Sequence, residues 1–274
     1  MNISAVAVKI VKLILFAWLL FVVSTARIAA RNNLQWSQHF EVTTKPVDSI
    51  TLVIAHPDDE VMFFSPTLLQ LDDLLPQSVR FNLVCLSRGD ADSMGSIREL
   101  ELQKSARLLM GRSGRDFEVF QHDFPDGFDE TWDVRSVASS IEDSVFIGDD
   151  AVRTVLVTFD EHGVSGHPNH VACHDAVKHI VKQRSDVRAL FLKSHHGNIL
   201  LKYCGFAYDL LKLYFETFLE RPDSGLSFVN TFPQYLLAFA SMANAHKSQL
   251  VWYRYGWWYL SRFVFVNDLE VFVQ

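Results

Sequence analysis

Residues 52–60 constrain this chain more than any other segment, because an apolar run there ends abruptly in a histidine, a proline and three carboxylates. Residues 51–54 are largely β-branched and apolar, as in a strand that is buried on both faces of a parallel sheet. The polar cluster therefore follows the carboxyl end of that strand, where open α/β sheets bind their ligands. His56, Asp58 and Asp59 would lie close together there, and a divalent cation would relieve the repulsion between the carboxylates.

A second segment has the same character. Residues 155–159 are typical of another buried strand, and the glycine-rich loop that follows carries His162, His167 and His170. Because both clusters follow strands, we expect them to meet at one edge of the same sheet. One histidine and one aspartate of the first cluster would supply two of the three protein ligands that a catalytic zinc takes, so the third must come from elsewhere.

Strands and helices alternate along the chain. The apolar spacing predicts strands over residues 51–54, 80–86, 117–120, 155–159 and 187–192, and helices over residues 61–75, 97–110, 134–145 and 171–183. This alternation predicts an α/β fold with a doubly wound, mostly parallel sheet and right-handed crossovers.

The N-terminal region is apolar enough to enter a membrane. Residues 13–26 carry no charge, and the apolar stretch extends back to Ile3 if Lys9 and Lys12 direct their amines toward the interface. We expect a transmembrane anchor over residues 1–30, a linker over 31–49 and a catalytic domain over 50–274. The alternative is a cleaved signal peptide, with the two lysines as its basic region and a cut near Ala26 or Ala30.

The C-terminal region is rich in aromatic residues. Residues 251–263 interleave tryptophan, tyrosine and arginine, a pattern that suits a membrane interface and, equally, an aromatic core helix. In the first case Trp252, Trp257 and Trp258 would bury their rings at the level of the lipid headgroups. The net charge of −7, with no basic stripe, argues against a nucleic-acid partner.

The two polar motifs together make the chain recognisable. It resembles the zinc-dependent GlcNAc deacetylase family, and within it the branch that acts early in GPI-anchor synthesis. The likeness extends from about Ile50 to the C-terminus, and it implies a Rossmann-like deacetylase fold. It is carried by His56-Pro57-Asp58-Asp59-Glu60, Gly166-His167-Pro168-Asn169-His170, Met62-Phe63-Phe64-Ser65-Pro66-Thr67, Gly95-Ser96-Ile97-Arg98-Glu99-Leu100, Asp123-Phe124-Pro125-Asp126 and His246-Lys247-Ser248-Gln249-Leu250-Val251-Trp252.

The resemblance implies a role for each polar residue of the two motifs. His56, Asp59 and His170 would bind Zn²⁺ or another divalent metal, and Asp58 would be the general base. His167 would donate to the developing oxyanion or to the departing amine. The implied reaction removes acetate from a membrane glycolipid, GlcNAc-phosphatidylinositol. The alternatives are a deacetylase of another N-acyl sugar and a non-catalytic membrane subunit that keeps the fold.

Three further residues are candidates for binding the substrate. Arg98 opens a helix after a glycine-rich loop at the same edge, where its guanidinium could bind a phosphate or a sugar hydroxyl. The alternative for Arg98 is a surface pair with Glu101. Asp90 and Asp123 lie in loops at this edge and could accept hydrogen bonds from sugar hydroxyls.

Other acidic and histidine residues near the motifs have weaker functional signals. Glu60 begins a helix, so we expect it to be structural. His174 lies four residues after His170 and is a less favoured alternative ligand. His246 lies in a block shared with the family, which makes a substrate-side role possible.

The cysteines indicate whether the protein resides in an oxidising or a reducing compartment. Cys85, Cys173 and Cys204 show no spacing typical of disulfides or of a thiolate zinc site, and no glycosylation sequon follows the apolar segment. The cysteines favour a reducing compartment, and both observations suit the cytoplasmic face of a membrane. With the resemblance, they predict a single-pass protein of the endoplasmic reticulum membrane whose catalytic domain faces the cytoplasm.

Overall fold

The structure of the protein is a computed structural model that describes residues 3–40, 47–146, 153–195, 202, 205–218 and 226–274. Cys204 and part of the predicted linker, residues 41–46, lie outside the described residues. Seven strands of the described residues form one sheet in the order β3-β2-β1-β4-β5-β7-β6. They are β1 (Ser49–Ile54), β2 (Arg80–Cys85), β3 (Phe117–Gln121), β4 (Thr154–Phe159), β5 (Val187–Leu192), β6 (Leu226–Val229) and β7 (Val266–Phe272).

The predicted mostly parallel sheet is confirmed. Strands β1 to β5 are parallel to one another, and β7 runs antiparallel to both β5 and β6. The strand order reverses between β1 and β4, because the chain moves outward through β2 and β3 on one side and through β5 on the other. Open α/β sheets bind ligands at such a switch point.

Strands β1 and β4 bring the two motifs together. Both are buried along their whole length, as their apolar sequences predict. Ile50 pairs with Val155 in the parallel register, so the residues after Ile54 and after Phe159 leave the sheet side by side at its carboxyl edge.

The helices account for most of the remaining chain. They are α1 (Ile3–Phe40), α2 (Asp59–Met62), α3 (Ser65–Leu74), α4 (Gly95–Leu109), α5 (Val134–Val145), α6 (Gly163–Gly166), α7 (Pro168–Gln183), α8 (Phe206–Phe218), α9 (Phe232–Asn244) and α10 (Trp252–Leu260). The prediction of one helix over residues 61–75 is wrong, because α2 and α3 are separate. Pro66 lies in the first turn of α3, where its missing N–H is tolerated but where it cannot continue a preceding helix.

The N-terminal helix is longer than the predicted anchor. α1 continues to Phe40, so much of the segment expected as a linker, residues 31–49, is helical. The stretch Val6–Ala30 is long and apolar enough to cross a membrane. One face of α1 packs against α8, β6 and α9.

Candidate active site

The turn after β1 holds Asp58 in an unusual backbone conformation. Its φ is 113°, a region that costs a non-glycine residue about 1–3 kcal/mol. The buried Glu60 carboxylate stabilises the turn by accepting the Asp58 backbone N–H at 3.0 Å. The other Glu60 oxygen accepts from Ser105 Oγ at 2.5 Å and from His246 Nε2 at 2.6 Å. These contacts agree with the structural role that the sequence suggests for Glu60.

The three predicted metal ligands converge at the sheet edge. Nε2 of His170 lies 3.3 Å from Nδ1 of His56 and 3.4 Å from Oδ1 of Asp59. Nδ1 of His56 lies 3.7 Å from Oδ2 of Asp59. Ligands at zinc bond lengths of about 2.0–2.2 Å with tetrahedral angles are separated by about 3.3–3.6 Å. The spacing of these buried groups therefore fits a small divalent metal.

Neighbouring backbone groups orient two of these ligands. His170 Nδ1 donates to the Gly163 carbonyl at 3.1 Å, which leaves the Nε2 lone pair free to bind a metal. Asp59 Oδ2 accepts the backbone N–H of His56 at 2.8 Å and that of Ala55 at 3.2 Å. The Phe159 ring stacks on His170 with centroids 3.9 Å apart and so packs one face of the imidazole.

A second group of possible ligands shares His56. His56, Asp126 and His167 also place one ligand atom each within 4.8 Å of one another. We favour the first group because all three of its members are buried and because backbone contacts orient His170 and Asp59 toward a common point. Burial opposes a charged His56, yet the hydrogen bond that His56 donates to Asp126 and the charge of Asp59 raise the pKa of His56 to about 9. The negative charges of Asp59 and Asp126 therefore favour a positive charge at this position, which a bound cation would supply.

Asp126 is a functional candidate that the sequence analysis missed. Its Oδ1 accepts from Nε2 of His56 at 2.9 Å, on the ring edge opposite the metal-facing Nδ1. A carboxylate in this position fixes the tautomer of a histidine ligand and makes it more basic. Asp123, the residue predicted from the same loop, is exposed. The signal was the Asp123-Phe124-Pro125-Asp126 block itself, from which the sequence analysis selected Asp123 as a sugar-binding candidate and did not consider Asp126.

We expect Asp126→Asn to lower metal affinity by about 10–100-fold, because His56 would lose its anionic partner while the side-chain shape is kept. The measurement is metal content after dialysis against graded concentrations of a chelator. Asp123→Asn is the matched control and should bind metal like the unaltered protein. Equal metal retention by both variants would remove Asp126 from the site.

Asp58 is paired with an arginine from a distant part of the chain. Its Oδ2 accepts a hydrogen bond from Nη1 of Arg254, which lies on α10. Burial raises the pKa of Asp58, and the Arg254 guanidinium opposes that rise. Arg254 was missed because the aromatic residues around it suggested an interface or a core helix.

His167 caps α7 with one ring nitrogen, and its other ring nitrogen, Nε2, can donate a hydrogen bond. Its Nδ1 accepts the backbone N–H of Asn169 at 3.3 Å, so in the neutral ring the proton resides on Nε2. Burial, and then the nearby His56 and His170, lower the pKa of His167 to about 4. At neutral pH the ring is therefore an uncharged hydrogen-bond donor beside the ligand cluster, with its centroid 4.7 Å from that of His56.

The predicted substrate-binding residues have different surroundings. Arg98 donates from Nη1 to the Gly89 carbonyl at 2.8 Å and lies 3.9 Å from Asp126 Oδ2, rather than pairing with Glu101. The Nε of Arg98 is buried and has no hydrogen-bond partner among the described residues. Asp90 is exposed and uses one oxygen to accept the Gly95 N–H at 2.7 Å, which fixes the start of α4.

The remaining histidine candidates, His246 and His174, lie outside both groups of possible metal ligands among the described residues. His246 is fully buried, with Nδ1 accepting from Gln249 Nε2 at 3.0 Å and Nε2 donating to Glu60. Glu101 extends this network by accepting from Gln249 at 3.2 Å. The network joins α2, α4 and the turn before α10. It therefore helps to fix the position of α10, which carries Arg254, relative to the turn that carries Asp58. His174 belongs to neither group of possible metal ligands found among the described residues.

Comparison with known proteins identifies the family of the chain. Residues 51–181 match the family model described as "PIG-L: GlcNAc-PI de-N-acetylase". The chain is 42% identical to the N-acetylglucosaminyl-phosphatidylinositol de-N-acetylase of Saccharomyces cerevisiae, over 99% of this chain and 96% of the relative. It is 37% identical to the protein of that name from Bos taurus, over 80% and 81% of the two chains. The chain therefore belongs to the PIG-L family of GlcNAc-PI de-N-acetylases.

Proposed function

We propose that the protein hydrolyses the acetamide of N-acetylglucosaminyl-phosphatidylinositol, giving glucosaminyl-phosphatidylinositol and acetate, an early step of GPI-anchor synthesis. The observation that carries the proposal is the convergence of His56, Asp59 and His170 beside Asp58 at the switch point of the sheet. The relatives named above support the choice of substrate, and their match extends over most of this chain.

His56, Asp59 and His170 would hold one divalent metal. When bound, the metal would polarise the amide carbonyl and lower the pKa of the attacking water. Two nitrogen ligands and one carboxylate favour zinc, although other first-row divalent ions also bind such sets. The buried and oriented side chains of the three residues would prevent the site from collapsing between turnovers.

The neighbouring residues would then handle protons and developing charge. The Asp58 carboxylate accepts a proton from the attacking water and later delivers it to the departing amine. Arg254 holds Asp58 in place and favours its charged form. The Nε2–H of His167 donates to the oxyanion that develops on the acetamide carbonyl.

Arg98 is the residue we propose for binding the sugar or the phosphate. Its guanidinium lies 3.9 Å from Asp126, the carboxylate that accepts from His56, and so stands beside the candidate metal ligands. Gly89 permits this placement, because a Cβ there would lie 2.7 Å from Nη1 of Arg98. Asp90 and Asp123 are exposed at the same edge, where they remain candidates for contacts with sugar hydroxyls.

Substrate comparison tests the proposal. The purified full chain, stripped of metal and reloaded with zinc, should release acetate from GlcNAc-phosphatidylinositol with a much higher kcat/KM than from free GlcNAc. Chelation should abolish release, and readdition of metal should restore it. Equal rates on both substrates would favour a general N-acyl sugar deacetylase. Absence of acetate release by the metal-loaded protein would favour a non-catalytic subunit.

We further propose that α1 anchors the protein in the endoplasmic reticulum membrane with the catalytic domain, residues 50–274, on the cytoplasmic side. The candidate span Val6–Ala30 and the buried free cysteines Cys85 and Cys173 support this location. Protease added to sealed microsomes should digest the catalytic domain without detergent. Protection of the domain would place it in the lumen.

A further inference from the structure

The first half of α1 projects away from the domain, and the second half is docked on it. Residues 7–16 are exposed on every side of the helix. From Ala17 onward one stripe is buried, and Phe21, Ile28 and Trp36 are 0%, 1% and 3% exposed. Phe21 packs edge-on against Phe265, with ring centroids 4.9 Å apart. The opposite side stays apolar and exposed as far as Val23, which is 70% exposed.

The projecting part alone is too short to cross a bilayer. Even counted from Ile3, the 14 helical residues before Ala17 extend about 21 Å, which is less than the roughly 30 Å hydrocarbon thickness. A spanning α1 must therefore place part of its docked half in the membrane as well. The domain surface against which that half packs would then lie inside one leaflet, because the packing is too close for lipid to separate the two.

Helix α10 continues the exposed apolar side of α1. Trp18 of α1 contacts the Tyr259 ring at the end of α10, with centroids 6.0 Å apart. The outward residues of α10 include Trp252, Tyr253, Tyr255 and Tyr259, which are 84%, 60%, 46% and 59% exposed. No charged side chain lies among the α10 residues on this outward side. An uncharged aromatic face of this kind is unusual where a helix meets water.

The inward side of α10 faces the active site. Arg254 contacts Asp58, and Trp257 Nε1 donates to the Met62 carbonyl at 3.3 Å. Trp258 is 1% exposed. Of the three tryptophans predicted for a membrane interface, Trp258 is therefore a core residue and Trp257 packs inward, which leaves Trp252.

The docked part of α1 and the active site share one edge of the sheet. Phe265, which contacts Phe21, immediately precedes β7. Leu269 of β7 pairs with Leu192, the last residue of β5, so the start of β7 lies at the carboxyl edge. A membrane that covers this part of α1 would therefore lie on the active-site side of the domain.

We propose that the outward face of α10 and the exposed side of α1 form one bilayer-binding surface, which seats the catalytic domain in a single leaflet. Asp58 then lies about one helix diameter, 10–12 Å, from the lipid, because α10 separates the two. Aromatic burial rather than charge provides the attraction, since the outward face is uncharged and the chain carries a net charge of −7. A glycolipid could reach the site without leaving the membrane. The surface itself does not depend on which substrate the protein hydrolyses.

Depth measurements on the full chain in phosphatidylcholine liposomes test this surface. Spin labels are attached to single cysteines placed at Tyr255, Tyr259 and, as an aqueous control, Glu118, in a chain carrying Cys204→Ser. Labels at 255 and 259 should collide with oxygen more than with a water-soluble nickel chelate, and the label at 118 should show the reverse. This order should persist in 1 M salt and in the inactive Asp58→Asn background. Labels at 255 and 259 that behave like the label at 118 would overturn the proposal.

An activity arm distinguishes this surface from the proposed function. The double variant Tyr255→Glu/Tyr259→Glu should lower kcat/KM on bilayer-embedded GlcNAc-phosphatidylinositol by about tenfold or more. It should leave the rate on a lipid-free GlcNAc-inositol phosphate unchanged. Val273→Glu, an equally drastic change at an exposed position after β7, is the matched control and should affect neither rate. An equal loss on both substrates would contradict membrane seating, whereas no activity of the unaltered chain would instead contradict the proposed function.

Discussion

Asp58→Asn is expected to lower kcat by about 10²–10⁴-fold while the metal stays bound. The amide keeps the size of the carboxylate and can still accept a hydrogen bond from Arg254, but it cannot take a proton from water. Metal content should be unchanged because Asp58 is not a member of either group of possible ligands. Single-turnover acetate release and elemental analysis of the same preparation measure the two properties.

The partner of Asp58 provides the control for this prediction. Asp58→Asn leaves the guanidinium of Arg254 without a charged partner, and an unpaired buried charge could by itself disturb the site. The double variant Asp58→Asn/Arg254→Gln removes both charges. If the loss arises from the missing base, the double variant should be as inactive as the single one. Recovery of appreciable turnover in the double variant would show that Asp58 is not the base.

His170→Ala is expected to release the metal and to reduce acetate release to background. The change removes a metal ligand. Altering a residue that only hydrogen-bonds to a ligand lowers metal affinity by about 10–100-fold, so the loss of affinity here should be larger. The fold should persist, because the N-terminal cap of α7 and the Phe159 side of the core are left in place. Metal content after gel filtration and the circular dichroism spectrum test the two parts of this prediction.

His174→Ala is the matched control for the ligand. His174 lies one turn further along α7, is buried, and directs its Nδ1 to Asp175 at 2.9 Å. It should therefore retain metal and activity, with at most a loss of stability from the missing buried ring. Metal retention by His170→Ala together with metal loss by His174→Ala would reverse the assignment. Metal loss by both variants would mean that α7 is disrupted.

The local pattern of β1 and β4 was sufficient to predict the centre of the fold. Each strand is continuously apolar because both of its faces are buried, and each ends where the polar motif begins. Parallel neighbours deliver their carboxyl ends to one edge, so the meeting of His56 with His170 followed from sequence. Residues 134–145 and 187–192 were likewise predicted with the bounds that the structure has.

Elements whose pattern depends on distant partners were not predicted. β6 and β7 were missed because their aromatic and apolar residues lack a clear period, and β7 is a strand because it pairs antiparallel with β5. The break between α2 and α3 was missed although Pro66 signals it locally. The helical spacing of the apolar residues outweighed the proline in the prediction.

The details of the site were decided by tertiary structure. Asp123 and Asp126 have the same side chain three residues apart, and only the path of the loop places Asp126 against His56. Arg254 reaches Asp58 across 196 residues of sequence because the buried network of Glu60 and His246 fixes the turn before α10. The sequence by itself determined the chemistry of the two motifs and the sheet edge where they meet, since both follow from short-range patterns. The choice among chemically equivalent residues, and the docking of α1 beside the active edge, required long-range packing that no local pattern encodes.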